Sequence, residues 1–191
     1  MENEMLKYLS EYIPITDSLK KIISENDLFR SYRKKTVLLK KGEIGKECYF
    51  VIKGCIKRYY IPDSNEQITG FYTEGHVITP VSYINKLPSE YYLECIEDTI
   101  AFVGNSTVEL DLYKKYPELE SLTRIMTEKL IAAATIDFDY RTITNPKEKY
   151  LKLLKDRPDL IQRVPQNQIA SYLGIQPESL SRLKKRLFKN L

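Results

Sequence analysis

Cys48-Tyr-Phe-Val-Ile-Lys53, then Gly54, then Cys55-Ile-Lys-Arg-Tyr-Tyr-Ile61 is the stretch from which the fold can be read. Two runs rich in β-branched and aromatic residues flank one glycine, and each has the length of a strand. Upstream, Thr36–Lys40 reads as another strand and Lys41-Gly42-Glu43 as a turn. Downstream, Pro62-Asp63-Ser64-Asn65 is a turn cluster, Gln67–Tyr72 a strand, and Glu74-Gly75-His76 a turn into Val77-Ile78. Tyr91–Ile96 and Ile100–Gly104 complete the series. Short strands with turn signals about every 8–12 residues predict an all-β sandwich or barrel, here a double-stranded β-helix (jelly roll).

Helical periodicity flanks this block. Residues 5–29 read as short helical pieces interrupted at Pro14. Thr16 caps Asp17–Glu25, and Leu19, Ile22, Ile23, Leu28 and Phe29 share an apolar face. After Asn105, Ser106 or Thr107 can cap a helix over Val108–Lys115. Pro117 then suits the first turn of a long helix reaching about Thr144. Its apolar seam is Leu119, Leu122, Met126, Ala133, Ile136, Tyr140 and Ile143, with Lys129 the one polar member. A 3–4 alternation of that length fits a partner helix; the alternative is packing against the chain's own β-domain. Asn145-Pro146 ends this helix and starts another over Lys147–Lys155. The predicted organisation is therefore α+β in three parts. Residues 1–116 form a β-domain with N-terminal helices, 117–145 a long helix suited to dimerisation, and 146–191 a C-terminal helical domain.

The chain has 191 residues, 42% hydrophobic and 29% charged, which is ordinary globular usage and excludes a disordered chain. No apolar run approaches the ~18–20 residues of a membrane span. The acidic start, Met1-Glu2-Asn3-Glu4, lacks the basic head of a signal peptide, so a cytoplasmic location is expected. With one histidine, His76, no His pair can hold a metal. Cys48, Cys55 and Cys95 form no C-x-x-C, which argues against a zinc site or disulfide framework. Neither a catalytic set nor a metal site is expected, and an enzyme is the disfavoured class. Charge is uneven. Residues 1–146 hold 19 Lys and Arg against 22 Asp and Glu, whereas residues 147–191 hold 11 against 4. A basic quarter on a slightly acidic body suits a polyanion partner.

The basic quarter contains Val164-Pro-Gln-Asn-Gln-Ile-Ala-Ser-Tyr-Leu-Gly-Ile-Gln-Pro-Glu-Ser-Leu-Ser-Arg-Leu-Lys-Lys-Arg-Leu-Phe-Lys189. A helix over Gln166–Leu173 turns Ile169, Tyr172 and Leu173 inward, with Ala170 as the small crossing residue. Gly174 ends it in the left-handed conformation that a sharp turn needs. Pro177 opens the next helix, which buries Leu180, Leu183 and Leu187. Two helices joined by a short Gly-bearing turn make a helix-turn-helix. The second helix can enter the major groove of double-stranded DNA. Arg182 can take guanine O6 and N7, Glu178 can accept from cytosine N4, and Ser179 can reach a base or a phosphate. Gln166 and Asn167 at the start of the first helix, with Lys184, Lys185 and Lys189, fall where phosphate contacts are made; Arg186 or Lys185 shares the presented face, and Gln176 is a further DNA-binding candidate. The alternative is a helical hairpin with a basic surface, or an interaction module that does not bind DNA.

Over nearly its whole length the chain resembles the Crp/Fnr transcription regulators. The resemblance rests on Leu38-Leu-Lys-Lys-Gly-Glu43, on Tyr49-Phe-Val-Ile-Lys-Gly-Cys-Ile-Lys57 and on Glu178-Ser-Leu-Ser-Arg182. It implies a cyclic-nucleotide-binding jelly roll, a homodimer through residues 117–145, a winged-helix-like helix-turn-helix and a pseudo-palindromic operator. RNA polymerase would be a further partner of an activator. Pro177 stands where the best-known cyclic-AMP-binding members carry a guanine-reading Arg, and Gln176 takes the usual Ser/Thr cap position. Residues 157–164 allow at most a minimal wing.

In cyclic-nucleotide-binding members a Gly-Glu pair holds the ribose and an Arg-Ser/Thr pair holds the phosphate. The corresponding residues here are Gly75, His76, Ser89, Glu90 and Tyr91, and no Arg lies between residues 59 and 123. A carboxylate would repel the phosphate, so cyclic AMP is not the expected ligand. The effector pocket, if used, takes an unidentified small molecule; a retained cyclic nucleotide is the alternative. No cysteine precedes Cys48, which disfavours the iron–sulfur branch, so no cofactor is expected.

Overall fold

The computed structural model describes residues 29–105, 117–143 and 145–188, with a few isolated positions outside these spans. The expected helices over 17–25 and 108–115 lie largely outside the described residues. Two compact units emerge: 1–57 with 72–133, and 58–71 with 134–191.

Each strand expected from the alternating segments forms. The strands are β1 (Phe29–Tyr32), β2 (Val37–Leu39), β3 (Cys48–Lys53), β4 (Ile56–Tyr60), β5 (Gln67–Tyr72), β6 (Val77–Ile78), β7 (Tyr92–Cys95) and β8 (Thr99–Gly104). They make two four-stranded sheets, ordered β1-β8-β3-β6 and β2-β7-β4-β5. β8 pairs antiparallel with β3 and with β1, in the registers Tyr49↔Val103 and Phe29↔Phe102. The chain switches sheets at most connections, as a jelly-roll-like fold requires. The interior is lined by Val51, Ile56, Leu93, Cys95 and Ala101, all essentially inaccessible.

Gly54, between β3 and β4, has φ +110°, and a Cβ there would lie 2.5 Å from Thr99 Oγ1. Its N–H donates to Glu74 Oε1 at 2.9 Å. Only glycine meets both the dihedral and the space. The sheet carries one buried cation. Lys57 is 3% exposed, and its Nζ lies 3.6 Å from Glu94 Oε2 on β7. A buried charge needs such a partner.

Two elements among residues 29–105 depart from the sequence reading. Phe29, expected on a helical face, lies on β1, where it packs edge-on against Phe102. A four-residue strand with Arg30 and Ser31 at its centre shows too little alternation to be seen, and pairing with β8 decides it. Helix α1 (Val81–Asn85) was not expected. One turn after Pro80 is too short to show a period.

The long helix α2 spans Glu118–Ile143, as the periodicity predicted. The side chains of its seam, Leu119, Leu122, Met126, Ala133, Ile136, Tyr140 and Ile143, lie outside the described residues. Four helices follow: α3 (Pro146–Asp156), α4 (Pro158–Arg163), α5 (Gln166–Leu173) and α6 (Pro177–Phe188). Asn145 caps α3 by accepting from the Glu148 N–H at 3.0 Å. The minimal wing is corrected to a helix, since α4 occupies residues 158–163. Pro158 opens it, Asp159 and Arg163 suit its two ends, and Leu160 is buried beneath it. Among the described residues from 145 onward there is no strand.

Candidate nucleic-acid interface

The core of α3–α6 is Tyr150, Leu153, Leu160, Val164, Ile169, Ala170, Leu173 and Leu180, all buried. Burying the leucine, isoleucine and valine side chains among these contributes ~1.5–3 kcal/mol each to holding the four helices together. Between them Gly174 takes φ +72° and ψ +30°. Its N–H reaches Ser171 O, and Ile175 N–H reaches Ala170 O, both at 3.0 Å. This is the left-handed helix end expected of that glycine. The Gln176 carbonyl accepts the Ser179 and Leu180 N–H groups at the start of α6.

With Leu180 buried and Leu183 and Leu187 half-buried, the opposite face of α6 is set. Glu178, Arg182, Lys185 and Arg186 are exposed, and Ser179 is half-buried. Glu178 and Arg182 share that face because they are one turn apart. Arg182 Nη2 donates to Ser179 Oγ at 3.4 Å, which lays the guanidinium along the helix. Gln166, Asn167 and Gln176 are exposed too, and Lys184 Nζ donates to Gln166 Oε1 at 2.9 Å. The residues expected to face DNA thus lie at the start of α5, at Gln176 in the turn and along α6, whereas Lys189 lies outside the described residues.

The expected effector residues fall in two places. Gly75 donates to Val51 O at 2.9 Å, and His76 Nδ1 donates to Thr73 O at 3.0 Å. Ser89 is buried; its Oγ donates to Tyr91 O at 2.9 Å, and its backbone N–H binds Glu43 O. Tyr91 is buried, and its hydroxyl accepts the Val81 N–H at 3.0 Å. Glu90 is exposed, with Lys41 Nζ 3.6 Å away. The nearest arginine before this segment, Arg58, donates from Nε to Thr69 Oγ1. In this segment the Ser89 hydroxyl is engaged by Tyr91 O, the Glu90 carboxylate lies beside Lys41, and no Arg lies between residues 59 and 123. Among the described residues no group of three or more His, Cys, Asp or Glu could hold a metal ion. Among them, too, no helix is long and apolar enough to cross a membrane.

Sequence reading missed Ser171. Residues 58–71 form a hairpin belonging to the same compact unit as the C-terminal helices. Ser171 Oγ donates to Glu66 O at 2.8 Å and accepts from Ile68 N at 3.0 Å. Nearby, the Phe71 and Tyr172 rings lie 5.3 Å apart. A serine on the half-buried side of an amphipathic helix carries no mark of such a partner.

Residues 29–116 match the model of the cyclic nucleotide-binding domain family. Three solved structures share the fold across the chain, and all three are Crp/Fnr-family regulators. The c-di-GMP-responsive global regulator CLP from Xanthomonas campestris is 16% identical, with a TM-score of 0.66 over 85% of this chain and 86% of that one. FixK2 from Bradyrhizobium japonicum is 19% identical, with a TM-score of 0.66 over 85% and 84%. A CooA mutant from Carboxydothermus hydrogenoformans is 14% identical, with a TM-score of 0.65 over 92% and 87%. At these identities the likeness is one of fold. No curated protein matches the chain in sequence. These neighbours are regulators rather than enzymes.

Proposed function

We propose that the protein is a sequence-specific DNA-binding transcription regulator of the Crp/Fnr type. It acts as a homodimer through residues 117–145 on a pseudo-palindromic operator. The observation that carries the reading is the exposed row of Glu178, Arg182, Lys185 and Arg186 on a helix whose other face is held by Leu180. The excess of 11 basic over 4 acidic residues in 147–191 supports it. In this reading α5 and α6 are a helix-turn-helix, and α6 enters the major groove. Gln166, Asn167 and Gln176 take phosphates. Half-sites lie about 34 Å apart.

A second reading concerns control. Residues 29–116 match a cyclic nucleotide-binding family, yet the Ser89 hydroxyl is engaged by Tyr91 O and no Arg lies between residues 59 and 123 to pair with a cyclic phosphate. The effector is then a small molecule other than cyclic AMP. Cyclic AMP should leave the thermal midpoint unchanged, whereas a true effector raises it as its concentration passes the dissociation constant.

The decisive test is selection of random duplex DNA by the purified protein, without added ligand, at near-physiological salt. Enrichment of a pseudo-palindrome is the expected result. Absence of any salt-dependent duplex binding would defeat the reading.

A further inference from the structure

Among the described residues eight large hydrophobic side chains are exposed, and four of them, Ile44, Val81, Ile84 and Leu87, gather around helix α1 of the β-domain. Val81 and Ile84 are one turn apart on α1, on the side away from the buried Ser82 and Tyr83. The Val81 N–H donates to the Tyr91 hydroxyl, and Lys86, at φ 58°, ends the helix. The Leu87 N–H donates to Asn85 Oδ1 at 3.0 Å, which holds Leu87 beside the helix end. Ile44 is brought in by its neighbour. The Gly45 N–H donates to the buried Ser82 Oγ at 3.0 Å, and a Cβ on Gly45 would meet that oxygen at 2.9 Å. The four side chains are 45–67% exposed, so apolar surface is displayed on backbone that hydrogen bonds fix in place.

The border of this surface is charged. Lys40, Lys41, Lys46 and Lys86 are all exposed. The Gly42 N–H donates to Ser89 O at 2.8 Å, which ties the Lys40–Glu43 turn to the segment that follows Leu87. Glu43 and Glu90 are exposed as well, but each carboxylate has a neighbour: Glu43 Oε2 accepts the Lys40 N–H at 2.9 Å, and Glu90 Oε2 lies 3.6 Å from Lys41 Nζ. We propose that the face formed by Ile44, Val81, Ile84 and Leu87 docks an acidic amphipathic segment of a partner protein. Its apolar side chains would cover the four residues, and its carboxylates would meet the lysines around them. The proposal is independent of the DNA-binding reading, since every residue in it belongs to the β-domain. A second copy bound about a two-fold axis fits less well, because each lysine would approach the equivalent lysines of the other copy. An anionic bilayer also fits less well, because its headgroups would meet Glu43 and Glu90 along with the lysines, whereas a peptide can set its carboxylates opposite the lysines alone.

The test selects a random display library of peptides about 15 residues long on the full chain, then measures the enriched peptides against two variants. Ile84→Glu places a charge in the apolar centre, and Lys46→Glu reverses one charge at its border. Both positions are exposed, so both variants should keep the wild-type urea midpoint. The expected peptides carry apolar residues flanked by Asp and Glu. Their binding should weaken roughly tenfold or more in Ile84→Glu and roughly threefold to tenfold in Lys46→Glu, and should fall as salt is raised. Peptides that are basic or uncharged, or whose binding neither variant changes, overturn the proposal, and so does a selection that enriches nothing. Self-association of the wild-type chain that Ile84→Glu abolishes, with no peptide enriched, overturns it in favour of a second copy. Binding to phosphatidylglycerol vesicles that Ile84→Glu abolishes, again with no peptide enriched, overturns it in favour of a membrane surface.

Discussion

Arg182 and Gly54 show how much one position can decide. Arg182 is exposed one turn from Glu178, and its guanidinium lies 3.4 Å from the Ser179 hydroxyl. If Arg182 reads guanine as proposed, Arg182→Ala should cost about 1–3 kcal/mol of operator binding and relax preference at one position per half-site. Binding profiles of wild type and variant on a substituted operator series check this. Uniform weakening with intact preference would reduce Arg182 to a phosphate contact. Gly54 and Gly174 both have positive φ, but their surroundings differ. A Cβ at Gly54 meets Thr99 Cα at 2.6 Å and Asp98 O at 2.8 Å, whereas at Gly174 nothing lies within 4 Å. Gly54→Ala should therefore cost about 3 kcal/mol or more, combining backbone strain with overpacking. Gly174→Ala should cost only about 1–2 kcal/mol, the penalty of the left-handed conformation. Urea unfolding of the two variants separates them, and equal losses would show that the crowding around Gly54 relaxes.

Among the elements, α2 and the strand pair β3–β4 were legible from the sequence alone. Alternation around Gly54 marked both strands, and the 3–4 spacing from Leu119 to Ile143 marked a helix observed as Glu118–Ile143. β1 and α1 were not legible, because four or five residues cannot display a period and their state depends on what they touch. Residues 158–163 carried helix signals, Pro158 first and Arg163 last, that the expectation of a wing obscured. The seam of α2 carries a prediction of its own. If it pairs two copies, Met126→Lys with Ile136→Lys places charges in a coiled-coil interface and yields monomers with operator affinity reduced at least tenfold. Sedimentation velocity reads the first effect and binding to a single half-site the second. A dimer that persists in the double variant would place the interface elsewhere. Ile131 and Phe138 are 61% and 68% exposed and spaced one heptad apart; they lie outside the seam read from sequence, so the helix bears a second apolar row.

At the scale of the whole molecule, the fold keeps several acidic protons that the unfolded chain gives up. Burial raises the Tyr32, Tyr49 and Tyr150 phenols above their ordinary value and pushes the Cys95 thiol from 9.0 up to about 11. Below about pH 7.5, under the unfolded thiol and phenol values, both folded and unfolded chains hold these protons, so the contribution to stability is complete. As pH rises further, the unfolded chain loses protons that the folded chain retains, and stability falls across the window up to and beyond the raised values. The urea midpoint should therefore drop between about pH 8 and about pH 10.5, and the phenolate absorbance of the buried tyrosines should appear only with unfolding. A constant midpoint, or full phenolate formation in the folded protein, would contradict the burial of these groups.

By itself the sequence determined the strands with clear alternation, the long helix, the Gly174 turn and the identity of the exposed face of α6. Each of these is a local pattern: period two, period three to four, a glycine free to take positive φ, and charges opposite leucines. Tertiary structure alone decided the pairing of β1 with β8, the burial of Lys57 beside Glu94, the engagement of the Ser89 hydroxyl and the seat of Ser171 on the edge of β5. Those depend on groups far apart in the chain, in the last case more than a hundred residues, and no local periodicity records which distant partner will satisfy a hydroxyl, a charge or a strand edge.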